Sequence, residues 1–267
     1  MLSFTKMNGA GNDFVMIDNR DAKWSLSGAQ IAHLCDRHRG VGGDGLIAVE
    51  PPRSGADFRM RYYNADGGEA EMCGNGARCF ARFVTRLAGR NDAVRFETIA
   101  GVVTAELLGE NVRLEMSAPR DLVLGTSLLA AGENVIIHAV NTGVPHAVVF
   151  VEDLAKVNIC ALGPAIRYHE YFQPKGTNAN FVEVKGPSEL AIRTYERGVE
   201  NETLACGTGL CAAALIHHAL TGAASPVTVT VRGGDPLEVG FVRAGDTFSH
   251  VTLTGPADFV FDGEISV

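Results

Sequence analysis

The chain has 267 residues, 46% of them hydrophobic and 20% charged, and its 23 basic against 31 acidic side chains leave a formal charge of −8. That length suffices for one large domain or two small ones, each with its own core. The basic residues are scattered rather than striped, which argues against nucleic acid as a partner. No stretch approaches a membrane span, and residues 1–6 lack the charged and apolar regions of a secretory signal, so the expected compartment is the cytoplasm, where cysteines stay reduced.

In chain order, residues 4–7 form a strand candidate, Asn8-Gly9-Ala10-Gly11-Asn12-Asp13 a glycine-rich loop, and residues 14–18 a second strand. Ser25 or Ser27 caps a helix that runs to about Arg37 with Ile31, Leu34 and Cys35 on one face. Gly40-Val41-Gly42-Gly43-Asp44-Gly45 follows without a preceding strand, which argues against a dinucleotide site, and residues 46–50 are a strand. Phe58, Met60 and Tyr62 alternate onto one side of a further strand, broken by Ala65-Asp66-Gly67-Gly68. Glu71-Met72-Cys73-Gly74-Asn75-Gly76-Ala77-Arg78-Cys79 then opens a helix whose apolar face carries Ala77, Phe80, Ala81, Val84, Leu87 and Ala88 and which Gly89 terminates. Arg78, Arg82 and Arg86 fall opposite that face and are expected in solvent. Short strands follow over Val94–Thr98, 102–107 and 112–116.

The second half repeats this plan. Thr142-Gly143-Val144-Pro145-His146 parallels Asn8-Gly9-Ala10-Gly11-Asn12, placing His146 opposite Asn12. Residues 190–197 parallel 58–65, placing Glu196 opposite Asn64, and both segments run into a Cys-Gly-x-Gly turn, the second being Ala205-Cys206-Gly207-Thr208-Gly209-Leu210-Cys211. The helix from about Gly207 to Leu220 is apolar nearly all round and is expected to be buried. Strands are expected at 135–141, 181–185, 227–232 and 251–254. Two equivalent α+β lobes follow, each wrapping strands around one central helix, with the helix starts meeting in a pocket at the lobe interface.

The six cysteines contain no C-x2-C pair, and a chain of this size needs no staples, so neither a disulfide framework nor a metal site is expected. Cys35, Cys79, Cys160 and Cys211 read as small apolar packing residues. Cys73 and Cys206 differ because each stands at a helix N-terminus, where a thiol is more acidic and the first-turn N–H groups can receive a carboxylate. Two thiols on either side of one carbon suit stereoinversion: one removes a proton from one face and the other returns a proton to the opposite face. An amino acid Cα–H is weak enough to need both, and helix-terminal N–H groups would stabilise the enolate-like charge that develops.

Taken together and in order, Lys6-Met7-Asn8-Gly9-Ala10-Gly11-Asn12-Asp13-Phe14, Arg37-His38-Arg39-Gly40-Val41-Gly42-Gly43-Asp44-Gly45, Tyr63-Asn64-Ala65-Asp66-Gly67, residues 72–79, Thr142-Gly143-Val144-Pro145-His146 and Tyr195-Glu196-Arg197-Gly198 with the second cysteine turn resemble the diaminopimelate epimerase family. The resemblance spans the chain. It implies two pseudo-symmetric lobes, 1–117 plus about 255–267 and 118–254, each a strongly curved, mostly antiparallel, barrel-like sheet around a central helix, with the active site in the cleft between them. It also implies interconversion of LL- and meso-diaminopimelate on the route to lysine and peptidoglycan, without pyridoxal phosphate or any other cofactor, by a homodimer.

Residue by residue, the resemblance makes Cys73 and Cys206 the acid/base pair, assisted by His146 and Glu196. It seats the reacting carboxylate on the backbone of Gly74, Asn75, Gly207 and Thr208. It holds the distal end of the substrate with Asn12, Asn64, Asn178, Glu196 and Arg197, the last being a fixed fork for a carboxylate. Gly45 and Val144 stand where some relatives carry Gln and Asn as substrate contacts. Three rivals remain: a proline racemase or hydroxyproline epimerase, disfavoured by motifs that would clamp a distal group; a phenazine-type isomerase, disfavoured by retention of both cysteines; and a non-catalytic amino acid-binding module. A pyridoxal enzyme is disfavoured because no phosphate loop with a partnered Lys stands out.

Overall fold

The computed structural model describes residues 1–89 and 93–267. The first half runs β1 (Leu2–Gly9), β2 (Asn12–Asp18), α1 (Gly28–Cys35), β3 (Gly45–Glu50), β4 (Phe58–Asn64), β5 (Glu69–Ala70), α2 (Gly74–Ala88), β6 (Val94–Thr98), β7 (Gly101–Leu108) and β8 (Asn111–Glu115). The second runs β9 (Arg120–Ala130), β10 (Glu133–Asn141), β11 (Pro145–Phe150), α3 (Ile159–Arg167), β12 (Asn178–Gly186), β13 (Glu189–Glu196), β14 (Asn201–Thr203), α4 (Gly207–Thr221), β15 (Val227–Thr230), β16 (Pro236–Ala244), β17 (Thr247–Pro256) and β18 (Asp258–Ile265). The chain divides into two units, Met1–Leu114 with Gly255–Val267, and Glu115–Thr254.

In the first unit the strands lie in the order β18-β1-β2-β3-β4-β6-β7-β8, with the short β5 paired to β4. Every pair is antiparallel except β2–β3 and β4–β6. A parallel pair needs a long crossover, and helices α1 and α2 supply the two crossovers. The Ser27 hydroxyl caps α1 by accepting from the Gln30 N–H, as the capping serine pattern predicts. The helix stops at Cys35, short of Arg37, because the Asp36 carboxylate accepts from the N–H groups of His38 and Arg39 and turns the chain. Gly89 closes α2 in the left-handed conformation, with φ 63°.

The second unit repeats this topology strand for strand: β9-β10-β11-β12-β13-β15-β16-β17, with β14 on β13 and parallel pairs β11–β12 and β13–β15. Helices α3 and α4 are its crossovers. The expected lobe equivalence therefore holds for every strand and α-helix, while two 3-10 turns, Leu154–Lys156 and Glu170–Phe172, are found in the second unit. The sheets are mostly antiparallel as expected, but they are not closed barrels. Among the described pairings within each unit, the outermost strands, β18 and β8 or β9 and β17, do not join one another.

Packing follows the apolar patterns, with three departures. Ala77, Phe80, Ala81 and Val84 of α2 are buried, whereas Ala88 lies outside the core. Arg78, expected in solvent, is fully buried, its Nε donating to the Pro256 carbonyl at 3.2 Å. Cys160, expected in a core, is exposed on α3. Leu210 to Ile216 of α4 are buried all round, consistent with a helix that packs on β10, β11, β12, β13, β15 and β16. His217 and His218 have structural roles, with ring nitrogens 2.9 and 2.7 Å from the carbonyls of Pro187 and Ala223.

Candidate active site: two helix starts

Cys73 and Cys206 are the N-caps of α2 and α4, both in extended conformation (φ −131°, ψ 122° and φ −125°, ψ 102°), and neither side chain makes a cap hydrogen bond. The first intrahelical bonds run from Ala77 N–H to the Cys73 carbonyl at 2.7 Å and from Leu210 N–H to the Cys206 carbonyl at 3.0 Å. The amides of Gly74 and Asn75, and of Gly207 and Thr208, thus precede the helical ladder, where N–H groups point along the helix axis and favour an anion. Space beside Gly74 is open: a Cβ there would meet no atom within 4 Å.

In the first unit, Asn75 is buried at the second position of α2 and its amide is fixed from both ends. Its Nδ2 donates to Asn12 Oδ1 at 2.7 Å, and its Oδ1 accepts from Arg78 Nη2 at 2.9 Å. Asn12 Nδ2 donates in turn to Asp44 Oδ2 at 2.8 Å. Arg37 links Asp44 at 3.0 Å to Asp13, which it grips with both Nη atoms at 2.8 and 2.6 Å, while Lys6 Nζ lies 2.7 Å from Asp13. Burial alone would raise the Asp13 carboxyl, but the hydrogen bonds and charges of Arg37 and Lys6 prevail and hold it at about 2. Asn64 is exposed at the end of β4, where its backbone closes the turn to Gly67 and Gly68.

The second unit has the same arrangement with different chemistry. Thr208 occupies the second position of α4, and His146 Nε2 lies 2.9 Å from its Oγ1, so the pair His146–Thr208 takes the place of Asn12–Asn75. Thr208 Oγ1 in turn lies 3.6 Å from Cys206 Sγ. His146 is 1% exposed, and its Nδ1 lies 3.1 Å from Asn180 Nδ2. Burial, with a smaller contribution from the Arg197 charge, pushes its pKa down to about 3. The ring is therefore neutral at physiological pH and cannot supply an imidazolium proton.

Asn178, at the start of β12, donates from Nδ2 to the Pro145 carbonyl at 3.2 Å and accepts at Oδ1 from the Arg197 N–H at 2.7 Å, so it sets the backbone that carries Arg197. The Arg197 guanidinium donates to the Lys175 carbonyl at 3.3 Å. Glu196 ends β13 as Asn64 ends β4, and its Oε2 accepts from Thr203 Oγ1 at 2.8 Å. Burial raises its carboxyl, against the lowering effect of that hydrogen bond. Gly45 has a steric reason: a Cβ there would lie 2.4 Å from the Tyr63 carbonyl oxygen and 2.7 Å from Tyr62 Cε2. Val144 is partly buried in the turn before β11, where its carbonyl accepts from the Thr142 N–H at 3.2 Å. Among the described residues, no group of three or more His, Cys, Asp or Glu converges as a metal site, and no helix is long and apolar enough to cross a membrane.

Sequence reasoning missed Asp44 and Arg37 as supports of Asn12, Arg78 as the support of Asn75, and Asn180 as the support of His146. A signal existed for the last. Asn178 and Asn180 sit two apart in a strand that continues as Phe181 and Val182, so both amides fall on one buried face, where polar groups need partners.

The family model described as Diaminopimelate epimerase matches residues 4–121 and 138–260. The chain is 45% identical to the diaminopimelate epimerase of Aquifex aeolicus over 278 aligned positions, covering 99% of this chain and 98% of that one. It is 44% identical to that of Chlorobaculum tepidum, covering 98% and 100%. Among solved structures it resembles a Bacillus anthracis phenazine biosynthesis protein of the PhzF family, with TM-score 0.73, 15% identity and coverage of 100% and 99%. It also resembles an Agrobacterium vitis hydroxyproline epimerase with bound trans-4-hydroxy-L-proline, with TM-score 0.72, 17% identity and coverage of 99% and 90%. At such identities these structures establish the fold alone. With the family model matched across both units and the relatives matched from end to end, the chain belongs to the diaminopimelate epimerase family.

Proposed function

We propose that the protein is an isomerase that interconverts LL- and meso-diaminopimelate, in lysine and peptidoglycan precursor synthesis, by inverting one α-carbon. The observation that carries this reading is the pair of cysteines capping topologically equivalent helices in a chain of this family. In the proposed mechanism one sulfur, as thiolate, takes the α-proton, while the other, as thiol, delivers its proton to the opposite face of the carbon. No redox change occurs, and the pair emerges with the roles of its sulfurs exchanged.

The amides of Gly74, Asn75, Gly207 and Thr208 receive the α-carboxylate as negative charge grows on it, a stabilisation that is strongest in a dry site. Asn12, Asn64 and Asn178, with Glu196 and Arg197, hold the distal amino acid end, Arg197 acting on its carboxylate. Asn12 and Asn178 are already oriented by Asp44 and by the Pro145 carbonyl, which supports a rigid clamp. Glu196, with its carboxyl raised by burial, and His146 assist at the sulfurs. The reading needs no cofactor, and it takes the homodimer from resemblance alone.

Incubation with LL-diaminopimelate in deuterated water, without added pyridoxal phosphate, is the test. Deuterium at Cα and formation of the meso isomer are expected, with L-proline left unlabelled. Uptake into proline alone would overturn the assignment in favour of a racemase of the same fold, and dependence on pyridoxal phosphate would overturn the two-thiol scheme.

A further inference from the structure

The polar groups behind Cys206 form a chain whose direction can be worked out atom by atom. The Ala147 carbonyl can only accept, so the Asn180 group 2.9 Å from it is the NH2, and the same nitrogen lies 3.1 Å from His146 Nδ1. Asn180 Oδ1 is taken by the Thr194 hydroxyl, which donates to it at 3.0 Å. His146 Nδ1 is thereby an acceptor. A neutral imidazole with an accepting Nδ1 carries its single proton on Nε2, and that N–H points at Thr208 Oγ1, 2.9 Å away.

Having accepted from His146, the Thr208 hydroxyl keeps its own proton to give, and Cys206 Sγ stands 3.6 Å from it. The Thr142 hydroxyl, donating to the Thr208 carbonyl at 2.8 Å, holds this residue in place. Asn180 and His146 are both essentially buried, so neither can rotate to a water partner without leaving a polar group unsatisfied. The charge that acts on the imidazole from outside the chain of bonds is the Arg197 guanidinium, which disfavours a second proton on the ring.

We propose that the Thr208 hydroxyl donates a hydrogen bond to Cys206 in its thiolate form, and that Asn180, through His146, is the positioning residue that orients this hydroxyl. This rests on the reading of Cys206 as one of the acid/base pair and deepens it. His146 does not exchange a proton with the sulfur. It holds Thr208 as a donor, and the hydroxyl proton stays on Oγ1 throughout. The first unit has no hydroxyl at the equivalent position, where Asn75 stands, so the two sulfurs of the pair are served differently.

The measurement is the pH dependence of iodoacetamide labelling at Cys206, followed in the intact protein by peptide mass spectrometry so that Cys160 and the other thiols are scored separately. The variant Thr208→Val is expected to move the midpoint up by about one pH unit, as loss of a hydrogen bond to a charged group implies, while Thr208→Ser stays near the parent. Asn180→Leu is expected to give a similar upward shift, and the double variant Asn180→Leu/Thr208→Val no more than Thr208→Val alone, because both act through one hydroxyl. A Thr208→Val profile that overlays the parent, a Thr208→Ser profile that shifts with Val, or shifts that add in the double variant would each overturn the proposal. Should Asn180→Leu not fold, the two Thr208 variants decide. Labelling needs no substrate, so a relay found in a protein that fails to epimerise diaminopimelate would sink the functional reading and leave this one standing.

Discussion

Capping a helix with cysteine is a poor choice for stability. Ser, Thr, Asp or Asn at an N-cap accepts a first-turn N–H and is worth about 1 kcal/mol over a residue that does not, and neither Cys73 nor Cys206 makes that bond. The same position is a good choice for chemistry, because the residue caps the positive end of a helix, beside the first-turn amides proposed to receive the carboxylate. Activity and stability are therefore expected to respond in opposite senses. Cys73→Ala and Cys206→Ala should each lose epimerisation by at least about 10²–10⁴-fold, the range for removing an acid or base, with substrate-analogue binding by calorimetry largely intact. Cys73→Ser and Cys206→Ser should be similarly impaired yet melt at higher temperature than the alanine variants. Normal turnover in either alanine variant would refute the two-base scheme.

At the level of elements, the second glycine of each Cys-Gly-x-Gly turn is crowded, by Ile47 Cδ1 at 2.8 Å from a Cβ at Gly76 and by Asn180 at Gly209. A Cβ at Gly209 would stand 2.5 Å from Asn180 Oδ1, whereas one at Gly74 meets nothing. Gly209→Ala is thus expected to displace the buried amide that orients His146 and to cost about 1–3 kcal/mol in thermal unfolding, while Gly74→Ala stays within a few tenths of the parent. Equal stability of the two would show that Asn180 has room to move. Helices α2 and α4 were legible from the chain because their signals are local: apolar spacing, a Cys-Gly-x-Gly start and a glycine end. No helix is expected from the chain over α3, whose Gly163 and Pro164 are the poorest helix formers; the glycine is required by Tyr195, whose Cγ would lie 2.6 Å from a Cβ at that position.

Long-range partners were the other blind spot. Arg78 looks like one rung of a solvated stripe with Arg82 and Arg86, and its burial depends on a carbonyl at Pro256, 178 residues away. The residues named from resemblance can be picked out along the chain, but the directions of their hydrogen bonds cannot. Whether His146 gives or takes a proton is decided by Asn180, which no spacing from His146 reveals.

For the molecule as a whole, one buried group and one partly buried group predict the acid limb of stability. His146 has an ordinary value of 6.5 and a folded value of about 3, so below pH 6.5 the unfolded chain binds a proton that the native state refuses. Stability present above that value is lost as pH falls toward 3. Asp13, lowered from 3.8 to about 2, adds a second loss below pH 4, when the unfolded carboxylate protonates ahead of the native one. Denaturant midpoints should therefore be level near pH 7–8, decline from about pH 6.5 downward, and steepen below about pH 4. His146→Gln should remove the upper part of that decline and leave the lower part. Because burial raises the Glu196 carboxyl and so adds stability as pH falls, the decisive quantity is the difference between parent and His146→Gln midpoints; a difference that does not change between about pH 4 and 6.5 would contradict the buried neutral imidazole.

The place of β18 has a consequence for how the chain matures on the ribosome. Its residues Asp258–Ile265 pair with Leu2 to Asn8, so the first unit is short of an outermost strand until residue 265 has been made. The second unit, Glu115–Thr254, is contiguous and has all its strands in hand earlier. The unit that is begun first is thus the one completed last. The half carrying Cys73 must meanwhile keep the edge of β1 from pairing elsewhere, and in that interval the unfinished chain is most exposed to aggregation.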